Sequence, residues 1–184
     1  MRIFATLALI AAALAANDVK PVAPPKEFDA RLKAYLELKQ KATKGMDEAP
    51  VKSDPKTIEA RKTAAAQAIS DARAATGAKQ GDLFTPAAAT QITKVIRSEM
   101  KGPDGAAAKK EATAGNPASE GTPFTPKVNM LYPANAPLST VPTTLLLRLP
   151  QLPKDIEYRF VGKALILLDA DARVILDILP NAQP

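Results

Sequence analysis

Asp169 and Asp171 stand two positions apart in the run Asp169-Ala170-Asp171-Ala172. Carboxylates at that spacing can offer oxygen ligands to a hard cation such as calcium. The run lacks the central Gly and the closing Glu of a calcium loop, and aspartates are ordinary residues of a strand turn. No metal is assigned to them. Tyr158, Arg159, Asp169 and Asp177 form a wider candidate binding group. On one side of a sheet they would make a polar site, and two carboxylates buried together could trade a proton. The preferred expectation is plainer: alternation along the strands turns Glu157, Arg159 and Asp177 to solvent. No residue is assigned a catalytic role.

Ser53-Asp54-Pro55-Lys56 has the Ser-x-x-Lys spacing of penicillin-interacting serine enzymes, where the Lys assists the Ser. The companion Ser-Asp-Asn and Lys-Thr-Gly motifs are absent from the sequence. A helix cap followed by proline explains the same residues. Ser98 and Lys101 repeat the spacing within a helical stretch and carry no more weight.

Composition removes whole classes of chemistry. The chain of 184 residues has no Cys, no His and no Trp. It therefore has no disulfide, no thiol nucleophile, no Ser-His-Asp triad and no Cys or His zinc site. No glycine-rich phosphate loop is present, and no cofactor is implied. The alternative to a binding protein is a small hydrolase or lyase working with carboxylate, Lys or Tyr. The net charge of +6 raises the question of nucleic acid or an anionic surface. The basic residues are interspersed with acidic ones, and aromatic residues make up only 4% of the chain. No nucleic-acid partner is expected.

The elements that must position these side chains follow from periodicity. The apolar fraction is 46%, but 36 residues are Ala. Of 42 Leu, Ile, Val and Phe, half (21) fall between Val128 and Leu179. That stretch is the natural core. Residues 16–26 read as a Pro-rich linker. Residues 27–115 read as helical, with about three Ala-rich helices. Phe28, Leu32, Tyr35 and Leu36 recur at helical spacing over 27–44. Pro55 starts a second helix, over 56–76, whose thin stripe is Ile58, Ala65, Ile69 and Ala72. Thr85-Pro86 starts a third, ending near Lys101, with Gly102-Pro103 as its stop. Residues 104–115 could add a short extra helix.

Residues 116–153 hold eight prolines and read as an extended, turning connection with a short Leu-rich helix near 143–149. Residues 154–184 read as a three-stranded antiparallel meander, with turns at Gly162-Lys163 and at 169–172. The fold class is α+β, with the helices and the Leu cluster covering the sheet.

The N-terminus has Arg2, an apolar run from Ile3 to Leu14 and then Asn17-Asp18. The run is too short for a membrane span, which needs about twenty residues. Ala13 and Ala15 fit the small-x-small cleavage pattern. Residues 1–15 are therefore expected to be a signal peptide. The mature chain is then exported, to a periplasmic or extracellular place, and is not an integral membrane protein.

Asn129-x-x-Tyr132-Pro133, the run Leu149-Pro150-Gln151-Leu152-Pro153 and Tyr158-Arg159-Phe160-Val161-Gly162 resemble the C-terminal part of a group of uncharacterised exported bacterial proteins. The layout of Gln80-Gly81-Asp82-Leu83-Phe84-Thr85 in the helical half is similar as well. The resemblance implies export and an α+β domain, and it implies no activity. The sequence reading is thus an exported, non-enzymatic binding module of the cell envelope. Its ligand would be an envelope protein or a small molecule, and an apolar patch is expected near Leu145–Leu152. A further alternative is a structural component that self-associates through strand edges.

Overall fold

The computed structural model describes residues 21–46, 54–121 and 123–183. The expected signal peptide with Ala13 and Ala15, the first part of the expected Pro-rich linker, and Ser53 lie outside them. Five helices precede three strands: α1 Lys26–Ala42, α2 Pro55–Ala75, α3 Pro86–Lys101, α4 Gly105–Thr113, α5 Thr143–Leu146, β1 Ile156–Val161, β2 Ala164–Asp169 and β3 Val174–Leu179. No described helix is long and apolar enough to cross a membrane. The architecture is α+β, with the helices N-terminal to an antiparallel sheet of order β1-β2-β3.

Two of the helices, α2 and α3, begin at side-chain caps. The Asp54 carboxylate accepts from Thr57 N at 3.0 Å, and Pro55 follows as the first helical residue. Thr85 plays the same part for α3, with Pro86 after it. α1 buries Phe28, Leu32 and Tyr35, one side of three successive turns. Each such side chain taken from water contributes about 1.5–3 kcal/mol. α3 buries Ile92, Val95, Ile96 and Met100. Two short helices, α4 and α5, raise the number above the three expected. α4 follows directly on the Gly102-Pro103 stop.

α2 departs from its expected face. Its buried residues are Ala66, Ile69, Ser70 and Arg73; of the expected stripe Ile69 is buried, while Ile58, Ala65 and Ala72 are half-buried. The rotation has a polar cause. Ser70 Oγ donates to Asn129 O at 2.5 Å, and Arg73 donates to Asn129 Oδ1 and to Leu176 O, both at 2.7 Å.

The sheet is covered on both faces. The helix-side core takes Ile156, Tyr158, Phe160, Leu165, Leu167, Val174, Leu176 and Leu179 together with the residues of α1 and α3. The opposite face holds Val161, Ile166, Leu168, Ile175 and Ile178. There they pack on Tyr132 and Ala136, with Phe124, Val128 and Met130 alongside. The Pro-rich connection is therefore a second cover, a role its sequence did not announce. It also pairs with the outer edge of β3: Asn129 N donates to Ile175 O at 2.9 Å and Tyr132 N donates to Arg173 O at 2.7 Å.

Gly162 turns the β1–β2 hairpin at φ 58°, a left-handed value that suits the first position of a tight hairpin turn. Between β2 and β3 the register slips: Leu167 faces Asp177 while Leu168 faces Ile175. Leu176 is the extra residue of a bulge. Strict alternation would put Asp177 opposite Leu176 in direction. A bulge sends two successive side chains to one face, so Asp177 joins Leu176 on the helix side.

Candidate functional site: a groove beside the first strand

The four sequence candidates separate into three places. Asp169 closes β2 and is fully buried. Tyr35 Oη donates to its Oδ2 at 2.5 Å, and Ala172 N donates to Oδ1 at 2.9 Å. Lys39 Nζ sits 2.8 Å from Oδ2 and 3.1 Å from Oδ1. The same ammonium reaches Asp171 Oδ2 at 3.4 Å. The two aspartates do converge on a cation, and the cation is Lys39.

Asp177 is also fully buried, which overturns its expected place on the solvent face. Its Oδ1 accepts from Gly81 N at 2.8 Å and Ile178 N at 2.7 Å. Its Oδ2 accepts from Leu83 N and Phe84 N, each at 2.7 Å. Gly81 holds φ 87° to turn this loop, a conformation that favours glycine. Arg73 links the two clusters, since its guanidinium lies 5.2 Å from the centre of the Tyr35 ring.

Titration follows the packing. Burial pushes the Tyr35 phenol up, and the charge and hydrogen bond of Asp169 push it further. Burial pulls the Lys39 ammonium down, but the hydrogen bond and charge of Asp169, with Asp171, outweigh it and the net shift is upward. Burial lowers Arg73, against the opposing pull of Tyr35, Asp177 and Asp82. Each carboxylate is filled by donors from the protein's own chain. A general base needs a lone pair free to meet a substrate proton, and neither offers one. These aspartates hold the helices to the sheet.

Tyr158 and Arg159 remain, and they line one groove. Tyr158 is buried, with its Oη donating to Pro150 O at 3.2 Å. Burial raises its phenol well above the ordinary value, with the charge of Asp29 adding to it. Arg159 is half-buried. It donates Nη1 to Ser139 O at 3.1 Å and pairs through Nη2 with Glu157. Solvent-facing placement therefore describes Glu157, which is 40% exposed at its side chain, better than Arg159, at 24%.

The groove has a volume of about 410 Å³ between α5, the segment leading into β1, and β1 itself. Val141, Leu146, Pro150 and Leu152 give it apolar walls. Leu146 and Leu147 are 45% and 54% exposed, and Leu138 is 51% exposed. Leu145 and Leu149 are buried beneath them. Of the Leu145–Leu152 stretch where an apolar patch was expected, Leu146 and Leu147 are exposed, Leu152 is half-buried, and Leu145 and Leu149 belong to the core. A second groove of about 390 Å³ runs between α2 and the β2–β3 turn. A shallower one follows a single face of α3. Neither presents these leucines.

Sequence reasoning missed Tyr35, Lys39, Arg73 and Ser139. Each sits on an element whose apolar periodicity or proline content dominated the reading. Asn129 and the loop after Gly81 carried a signal, since both lie in short motifs singled out in the sequence. No known family model, curated protein or solved structure matches the chain.

Proposed function

We propose that this chain is an exported, non-enzymatic binding module of a bacterial cell envelope, and that it holds its partner in the groove between α5 and β1. The observation that carries the reading is the exposure of Leu146, which lines that groove. Apolar side chains left in water at the mouth of a concavity favour an occupant that removes them from water. The saturation of Asp169 and Asp177 supports a binding role over acid–base catalysis.

Export rests on the first eighteen residues and on the resemblance to exported proteins. A chain destined for an oxidising compartment but without cysteine must hold itself together by other means. The polar locks at Asp169 and Asp177 are such means.

The test places a photoreactive residue at Leu146, which lines the groove, and a control one at Lys109 on the exposed side of α4. Cells are fractionated and irradiated. The expected result is a mature chain shortened at its N-terminus in the extracytoplasmic fraction, with a saturable crosslinked species from position 146 only. A cytoplasmic, full-length chain would refute export. Identical products from both positions would refute the groove.

A further inference from the structure

β1 is an edge strand, paired only with β2, and its register is regular from Ile156↔Asp169 to Val161↔Ala164. In an antiparallel ladder, alternate residues point both N–H and C=O to the same side. Asp155 O accepts from Ala170 N at 2.8 Å, so the odd positions face β2. The even positions, 156 to 162, face away from it.

Those outward groups are capped almost throughout. Ile156 N donates to Pro153 O at 3.2 Å. Phe160 N donates to Ser139 Oγ at 2.7 Å, and the same hydroxyl donates to Phe160 O at 2.6 Å. Gly162 N donates to Asn116 Oδ1 at 2.8 Å, and Asn116 Nδ2 donates to Gly162 O at 2.9 Å. Tyr158 is different. Among the described residues, no group takes its outward N–H or gives to its outward C=O. Tyr158 also lines the groove. Unpaired backbone on a sheet edge is a template for another strand; here the gap runs from Ile156 O, which likewise has no partner among the described residues, through Tyr158, and ends at the caps on Phe160 and Gly162.

We infer that the gap takes a short extended segment of a partner protein. The segment exchanges two main-chain hydrogen bonds with Tyr158 and seats one uncharged, apolar side chain against Leu146 and Leu152. This rests on the groove reading above and names its ligand class. Strand addition supplies affinity through the main chain and specificity through side-chain pockets. Charge selects the occupant. The groove's two charged residues, Glu157 and Arg159, pair with each other, and the one donor left over, Arg159 Nε, is buried; a cationic side chain entering would shed water and gain no partner, and the walls at Leu146 and Leu152 favour an apolar one. Length selects it too. The caps at Phe160 and Gly162 stop a long strand from pairing, so a second copy of β1 cannot extend the sheet across this edge.

The test selects phage-displayed random short peptides on the full chain. The chosen binder is remade with one backbone N-methyl group at each position in turn, and every form is titrated against the wild type and Leu146→Glu. Leu146 is exposed, so this variant keeps its fold, and circular dichroism checks that it does. The expected outcome is a loss of about tenfold or more in Leu146→Glu, with a similar loss from one N-methyl position only. Hydrogen exchange at the Tyr158 amide slows in the complex. A binder that needs Leu146 but tolerates N-methylation everywhere overturns strand addition and leaves the groove reading intact. Selection that yields no binder sensitive to Leu146→Glu overturns both. Self-association abolished by Leu146→Glu replaces the peptide with a second copy and also overturns the inference.

Discussion

Asp177→Asn tests whether the buried aspartates organise the fold. The carboxylate accepts four backbone N–H groups, two on each oxygen. An amide keeps one oxygen and replaces the other with an NH₂ group. Two of the four backbone donors would then face a donor. Each buried donor left unmet costs about 1–3 kcal/mol, so the substitution costs about 2–6 kcal/mol. A domain of this size holds only about 5–15 kcal/mol in total. At about 4 kcal/mol, the melting temperature should fall by about 8–16 °C. The assay is thermal unfolding followed by far-ultraviolet circular dichroism. Asp171→Asn is the control, because that side chain is 63% exposed and an exposed ion pair is worth about 1 kcal/mol or less. A fall under about 3 °C for Asp177→Asn, or equal falls for the two variants, would refute the cradle as a stabilising device.

Three further outcomes follow from the same contacts. All three tyrosines of the chain, Tyr35, Tyr132 and Tyr158, have phenols raised above the ordinary value of 10.0 by burial first. Lys39 is raised as well. A raised pKa in the folded state means stability that is intact below the unfolded value and lost as pH climbs past it. The tyrosinate ultraviolet band should therefore appear only together with alkaline unfolding, and a band growing while the helical signal persists would disprove this. Lys39→Met leaves the buried Asp169 charge with neutral donors alone and should cost about 3 kcal/mol, read from the urea midpoint. An unchanged midpoint would show that Tyr35 and Ala172 suffice. Ser139→Ala removes the hydroxyl that serves both Phe160 N and Phe160 O and should cost about 2 kcal/mol, with faster amide exchange at Phe160 as its signature.

Much of the fold was legible because it obeys local rules. Asp54-Pro55 and Thr85-Pro86 each join a capping side chain to a proline, and the helices start at them. Gly162 marked the hairpin turn. The readings that failed depended on tertiary partners. Asp177 looked outward because strict alternation put it there, and only a bulge opposite Leu167 and Leu168 turns it in. Arg73 drew no reading at all in the Ala-rich stretch of α2, yet it is 5% exposed, because Asn129 and a strand carbonyl receive it. The prolines of the connection marked extended chain correctly. They did not reveal that Tyr132 and its neighbours would cover the far side of the sheet. Of the candidate site, the leucine cluster was legible as composition. The backbone gap at Tyr158 was not, since it is defined by which neighbours are capped.

The two carboxylate locks also set an order of events. Asp177 meets the loop at Gly81, Leu83 and Phe84 across 93–96 positions of chain, and Asp169 meets Tyr35 across 134. α1 and the loop before α3 carry donors whose acceptors are synthesised long after them. Contacts of such span bring loop-closure cost before reward and slow folding. A helical half that has emerged alone therefore has no means to lock. Under the proposed export, that delay would keep the threaded chain unlocked, and so transportable, until β2 and β3 arrive to close it.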